Sequence, residues 1–190
     1  MLNRSNGAAI RAAVSAVPVR KGAVLADIGF GGGLGLELLL DRLDQADGAA
    51  GVVHGVDVSQ TMIADATRRF SRPIADGRLR LHRAPIEKLP FADGAVDAAL
   101  TLNTIYFVPD LPAAFIELRR VLHRNGLVAL GLGDPGAMAR MAVARQGFRL
   151  RPVSEVIDAL SLSGLVVDQH RRVGKGDGAF HLLIAIPAPR

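Results

Sequence analysis

The 190-residue chain has no cysteine, no tryptophan and a single tyrosine. Without cysteine there are no disulfides, thiolate metal sites or thiol nucleophiles. That usage suits a cytoplasmic protein. No uninterrupted apolar run reaches the ~18 residues that a membrane-spanning helix needs. Residues 1–19 place two arginines among alanines, which predicts an amphipathic first helix rather than the purer apolar core of a signal peptide. The net charge of +5 would suit an anionic partner. The basic residues are scattered, however, and aromatic residues are too few for an interleaved stacking surface, so nucleic acid is disfavoured. No H-x-x-x-H spacing occurs and no metal site is expected. The five histidines, His54, His82, His123, His170 and His181, read as packed or surface residues, and no Ser–His–Asp arrangement is legible.

What is present is a soluble globular balance, 49% hydrophobic and 22% charged, at a length that predicts one domain over residues 1–190. Apolar runs and helical periods alternate along the chain. After a first helix over 6–17 come strands at 23–28, 52–58, 79–82, 95–102 and 127–132. Helices are expected at about 34–42, 60–70 and 110–122. Ser59 and Asp110 stand at N-cap positions, and Asn125-Gly126 reads as the turn into the fifth strand. This alternation implies an α/β fold, a parallel sheet with helices on both faces. In the last third, Ser154 is expected to cap a helix ending at Ser163. Two strands, 165–173 and 179–186, joined by five glycine-rich residues, predict an antiparallel hairpin. Segment 134–152 carries Arg140, Arg145, Arg149 and Arg151. It is a candidate substrate-covering segment, although a solvated helix face accounts for most of these arginines.

The first strand runs into Asp27-Ile28-Gly29-Phe30-Gly31-Gly32-Gly33 and then a helix, a ligand cradle at the carboxyl end of a strand. A dinucleotide fingerprint needs G-x-G-x-x-G. Counted from Gly29 the sixth residue is Leu34, and from Gly31 it is Leu36, so neither frame fits. The spacing is G-x-G-x-G, preceded by Asp27, whose carboxylate would repel a pyrophosphate and suit an ammonium or sulfonium group. Asp57, ending the second strand, is placed to accept hydrogen bonds from ribose hydroxyls. Taken singly, either acid could equally be a solvated or capping carboxylate.

These segments resemble the class I S-adenosylmethionine-dependent methyltransferases. The Asp27–Gly33 stretch is similar to their first motif, and Gly55-Val56-Asp57-Val58-Ser59 to their second-strand motif. Leu89-Pro90-Phe91-Ala92-Asp93-Gly94-Ala95-Val96-Asp97 and Glu117–Gly126 resemble the small-molecule branch that includes the ubiquinone and menaquinone C-methyltransferases (type 11). The likeness covers roughly residues 20–133. It implies a Rossmann-like, seven-stranded, mostly parallel sheet, with the last strand antiparallel and inserted beside the sixth. It also implies S-adenosyl-L-methionine as cofactor. Asp27 and the backbone at Gly29, Phe30, Gly31 and Gly33 would hold the amino-acid end, Asp57 the ribose, and Val58 and Met62 the adenine. Asn103 would line the methyl end. Where the family commonly has an acidic and a small apolar residue flanking the adenine, this chain has Pro85 and Ile86. Backbone groups, Glu87 or looser recognition would then serve the adenine amino group.

The function this implies is methyl transfer to a small-molecule acceptor by a monomer or homodimer. A cofactor-binding module without catalysis and an RNA or DNA methyltransferase are the alternatives. No catalytic residue is legible. Asn103 and Tyr106, on the loop after the fourth strand, are the acceptor-side candidates, and Tyr106 reads equally as an ordinary half-buried aromatic.

Overall fold

The computed structural model describes residues 2–46, 51–140, 148–174 and 179–189. Helix α1 (Leu2–Ala16) precedes β1 (Val24–Ile28), α2 (Leu34–Gln45), β2 (Val52–Asp57), α3 (Gln60–Arg69), α4 (Ser71–Ala75), β3 (Leu79–Arg83) and β4 (Val96–Leu102). A 3-10 turn (Ile105–Phe107) leads to α5 (Leu111–Val121), β5 (Leu122–Gly133), α6 (Pro135–Ala139), α7 (Val153–Leu162), β6 (Leu165–Val173) and β7 (Phe180–Pro187). The seven strands lie in the order β3-β2-β1-β4-β5-β7-β6. The first five are parallel, and β7 is inserted between β5 and β6, antiparallel to both. This is the Rossmann-like sheet that the motifs imply. Chain order reverses between β1 and β4, so the carboxyl end of β1 opens on a topological switch point, where ligands of such sheets bind.

The sheet has a core on each face because successive strand residues point to opposite sides. In β1, Leu25 enters the core beneath α1 and α2, with Leu36, Leu39 and Val53. Its neighbours Ala26 and Ile28 enter the core beneath α5 and α7, with Phe115, Leu118 and Val156. Helix α5 is amphipathic by spacing. It buries Leu111, Ala114, Phe115, Leu118 and Val121, the i, i+3, i+4, i+7 stripe of a core-facing helix. The Asp110 carboxylate caps it by accepting the Ala113 N–H at 3.0 Å, and the Ser59 hydroxyl caps α3 by accepting the Met62 N–H at 3.3 Å.

Two expectations are corrected. Strand β5 starts at Leu122, not after Asn125-Gly126; Val96 pairs with Leu122 and Ala98 with Leu127, so the expected turn residues form an irregularity inside the ladder. Ser154 does not cap α7, because Pro152 occupies the N-cap position and the helix has already begun at Val153. Proline suits this boundary because its fixed φ sets the chain up for the first turn. The chain also adds α4, which follows Phe70 directly. Arg145 and residues 175–178 of the hairpin joint lie outside the described residues.

Phe115 is fully buried, whereas its neighbour Ile116 is 58% exposed. Phe115→Ala is therefore expected to cost about 3–5 kcal/mol of unfolding free energy, and Ile116→Ala no more than about 0.5 kcal/mol. Urea denaturation of both variants checks this, and equal costs would contradict the face assigned to α5.

Candidate functional site

The site is built on the turn between β1 and α2. Gly29, Gly31 and Gly33 all have positive φ, at 74°, 50° and 77°, the left-handed region that side chains avoid. At Gly29 a Cβ would also collide with the Thr104 side chain. The Thr104 hydroxyl lies 3.2 Å from the Ile28 carbonyl and 3.3 Å from that of Leu102, so it ties the end of β4 to the end of β1.

Four amide hydrogens of the turn, those of Gly29, Phe30, Gly31 and Gly33, are consumed inside the protein. Gly29 and Phe30 N–H both donate to the Val56 carbonyl, at 2.7 and 3.4 Å, and Gly33 N–H donates to the Phe30 carbonyl at 2.9 Å. Gly31 N–H donates to Asp57 Oδ2 at 3.0 Å. A phosphate nest needs such groups free and converging. Here those four are spent, and two buried carboxylates, Asp27 and Asp57, stand at the turn, a setting that suits a cation.

Asp57 is buried at 9% exposure. Besides Gly31, its carboxylate takes the Ser59 N–H on Oδ1 at 2.8 Å. Two backbone donors thus fix its orientation and leave lone pairs for a ligand's hydroxyls. Asp27 is 5% exposed and accepts no hydrogen bond from the described residues. Its carboxylate leans on Gly35, where any Cβ would overlap it. Burial, and secondly the charge of Asp57, push its pKa from 3.8 up to about 7. A buried acid held in this way gains most from a cationic partner.

Across the turn, Gly31, Gly33, Met62, Ala66 and Phe70 line an open recess of about 190 Å³. Val58 is 62% exposed beside it in sequence. Phe30 contributes only backbone here, because its ring is buried in the core beneath α2. Pro85 is exposed and Ile86 is buried with Ile28 and Val56. The loop that carries them leaves β3 beside Asp57, whose carbonyl accepts the Ala84 N–H at 3.3 Å.

At the end of β4, Asn103 has φ 58°, and its N–H donates to the Gly131 carbonyl at 2.8 Å. A left-handed asparagine is tolerated because its side chain is short and polar, and backbone strain of this kind gathers at functional sites. Tyr106 is buried at 2% exposure. Its hydroxyl accepts the Gly133 N–H at 2.6 Å, burial pushes its pKa up to about 12, and its ring meets Phe148 at 5.5 Å. It ties the 3-10 turn to the end of β5. Arg151 donates to the Ile105 and Val108 carbonyls at 3.0 and 2.8 Å. It braces the 3-10 turn, whereas Arg140 and Arg149 are exposed.

Four histidines pair with each other. His54 Nδ1 and His82 Nε2 are 2.8 Å apart, as are His170 Nε2 and His181 Nδ1. Burial, then the neighbouring His82 and Arg80, lower the His54 pKa to about 4. Among the described residues no group of three metal-ligating side chains converges, and no helix is long and apolar enough to cross a membrane. Sequence reasoning missed the packing of Gly35 on Asp27. It was detectable, since the alternation 29, 31, 33, 35 continues one step past the motif. Thr104, expected to follow Asn103 at the methyl end, also locks against Gly29, a contact that carries no local signal because it forms only through the fold.

A family model described as a methyltransferase domain matches residues 26–130. The chain is 26% identical over 123 residues to the biotin biosynthesis bifunctional protein BioHC of Teredinibacter turnerae, covering 65% of this chain and 22% of that protein. It is 34% identical over 89 residues to the 2-phytyl-1,4-naphtoquinone methyltransferase of Trichormus variabilis, covering 47% and 39% of the two chains. It thus spans less than half the length of these curated relatives. Its fold matches that of a SAM-dependent methyltransferase from Aquifex aeolicus with a TM-score of 0.78 at 18% identity, covering 96% of this chain and 92% of that one. With more than half of its residues matched by the family model and the seven-stranded sheet in place, the chain belongs to the class I S-adenosylmethionine-dependent methyltransferase family.

Proposed function

We propose that this chain binds S-adenosyl-L-methionine at the glycine turn and transfers its methyl group to a small-molecule acceptor. The observation that carries this reading is the pairing of a buried, unbonded Asp27 with a backbone-oriented Asp57 around a turn in which the amides of Gly29, Phe30, Gly31 and Gly33 are already spent. Asp27 and the carbonyls along Gly29, Phe30 and Gly31 would receive the ammonium and amino-acid end, with Gly33 opening the helix away from it. Asp57 would accept from the ribose hydroxyls. Val58 and Met62 would pack on one side of the adenine, and Pro85 and Ile86 on the other. Asn103 and Tyr106 would bound the methyl and acceptor side.

The cofactor, when bound, supplies a sulfonium-activated methyl that an acceptor takes by in-line displacement. The protein's share is to bind, orient and exclude water. Two carboxylates at the site would stabilise positive charge on the cofactor side and leave the acceptor side to the 3-10 turn and to the described ends of 134–152, residues 134–140 and 148–152, a segment that we assign as substrate-covering. The quinone-type methyltransferase among the relatives supports a small-molecule acceptor. A module that binds without turnover is the second reading, favoured by Pro85 and Ile86 where an adenine-binding acid would be expected. Binding without turnover across a panel of phenol, amine and quinol acceptors would select it. A methyltransferase of nucleic acid would instead show steeply salt-dependent binding of RNA or DNA.

Titration calorimetry with S-adenosylhomocysteine tests the cofactor assignment. Asp57→Ala is expected to weaken binding about 10- to 100-fold, the loss of charge-assisted hydrogen bonds to ribose. No binding by the wild type would overturn the reading.

The raised pKa of Asp27 gives a pH dependence with a definite sign. In the free protein the carboxyl still holds its proton below pH about 7, and an ammonium ligand must displace it. Affinity for S-adenosylhomocysteine should therefore rise from pH 5 to 7 and level off above, by up to about tenfold per pH unit. Asp27→Asn should flatten this profile. For folding, the native state holds a proton that the unfolded chain releases near 3.8, so this group removes stability as pH rises through that window. Asp27→Asn should accordingly raise the melting temperature of the ligand-free protein at pH 8 and weaken cofactor binding. A lowered melting temperature with an unchanged binding profile would contradict both.

A further inference from the structure

The loop between β3 and β4, which carries Pro85 and Ile86, is fastened by one ion pair on α5, the helix whose core it shares. Glu117 and Arg120 lie one turn apart on α5. Arg120 Nε donates to Glu117 Oε2, and its Nη2 to Oε1, both at 2.7 Å, a bidentate fork. Glu117 Oε1 also accepts the Leu89 N–H at 2.7 Å. Arg120 reaches further along the same loop. Its Nη1 donates to the Phe91 carbonyl at 2.9 Å and to Asp93 Oδ1 at 2.6 Å, its Nη2 to the Leu89 carbonyl at 3.4 Å, and its own carbonyl accepts the Gly94 N–H at 2.9 Å.

The pair is partly shielded from water, with the Glu117 side chain 14% and that of Arg120 33% exposed. Its hydrogen bond to Arg120 is the largest cause holding the Glu117 carboxyl below its usual range. An arginine fork suits this task because its five donors are fixed in one plane. From the sheet side, the Phe91 ring stands edge-on to His54 and His82, at 5.1 and 5.6 Å, while Ile86 and Leu89 are buried. Prolines at 85 and 90 remove backbone freedom between the anchors. The loop begins at the Asp57 carbonyl, so its shape is set right beside the acid assigned to ribose.

We propose that Glu117 and Arg120 are positioning residues for the nucleoside half of the cofactor: they hold loop 85–93 as a preformed wall against the adenine. This rests on the S-adenosylmethionine reading above. Pro85 and Ile86 have no side-chain acceptor to offer an adenine amino group, so recognition on this side depends on shape and backbone, and both require a fixed loop. A loop that must be ordered on binding takes that cost from the affinity.

The test compares S-adenosylhomocysteine with 5′-methylthioadenosine, which keeps the nucleoside and lacks the amino-acid end. Calorimetry is run on the wild type, Arg120→Met, Arg120→Lys and Glu117→Gln, and on Val156→Ala, a buried change on α7 that makes none of the loop's hydrogen bonds, as a stability control. Arg120→Met is expected to raise the Kd of both ligands by the same factor, about 5- to 30-fold, and Glu117→Gln by about 3- to 10-fold. Arg120→Lys, which keeps the charge and loses the fork, falls between wild type and Arg120→Met. Val156→Ala lowers the melting temperature and leaves both Kd values within about twofold. The proposal is overturned if the folded clamp variants bind both ligands as the wild type does. It is equally overturned if they lose only S-adenosylhomocysteine, or if Val156→Ala weakens binding as much as they do. Should Arg120→Met not fold, Arg120→Lys and Glu117→Gln carry the same comparison. A wild type that binds neither ligand overturns the cofactor reading itself, an outcome distinct from a wild type that binds while the variants show no effect.

Discussion

The carboxylate of Asp57 joins the two halves of the site. One oxygen receives the Gly31 N–H from the turn after β1, and the other the Ser59 N–H at the start of α3. This makes the β1 turn and the β2–α3 junction a single unit. It also decides the electrostatics, because an amide that binds Asp57 cannot bind an anion. With Gly29, Phe30 and Gly33 also donating internally, the concavity is left with carbonyl dipoles and a second buried acid, Asp27. A phosphate-binding turn of similar outline would keep its amides free and exclude carboxylates. Burial first, and the charge of Asp57 second, raise the pKa of Asp27, and a cationic partner would offset both.

The remaining parts brace this unit from several distances. Thr104 locks the end of β4 against Gly29, and Tyr106 holds the end of β5 through Gly133. Arg151 fixes the 3-10 turn between them by its carbonyls. On the nucleoside side, the Glu117–Arg120 pair and the His54–His82–Phe91 cluster grip the loop after β3 from opposite sides. The bracing residues come from β2, β3, α5, the loops after β3 and β4 and the stretch before α7, so the geometry of the turn depends on contacts spread along the chain.

The strands, their alternation with helices and the cradle were legible from local chemistry. Continuous apolar runs bounded by glycine and proline mark buried parallel strands, and the G-x-G-x-G spacing with Asp27 distinguishes this turn from a dinucleotide fingerprint. The position of β7 between β5 and β6 followed from the resemblance of the motifs, since a hairpin signal alone does not say which of its strands joins the sheet. Where sequence reading failed, tertiary contacts had outweighed local propensity. Asn125-Gly126 has the composition of a turn but sits within the β5 ladder, and Ser154 yields its capping place to Pro152. The lone tyrosine looked equally suited to substrate or core, and only the fold shows its hydroxyl spent on a backbone amide. The roles of Gly35, Thr104 and Arg120 depend on partners roughly 8 to 75 residues away in the chain, beyond the reach of any local pattern.

The central claim is that this glycine turn is built for the cationic end of a nucleoside ligand and against a pyrophosphate. Competition calorimetry tests it most directly, with the protein titrated by S-adenosylhomocysteine in the presence and absence of millimolar NADH or ADP. Micromolar binding of S-adenosylhomocysteine that neither nucleotide displaces is the expected result. Tight binding of NADH or ADP that displaces S-adenosylhomocysteine, or that occurs without any binding of it, would contradict the claim.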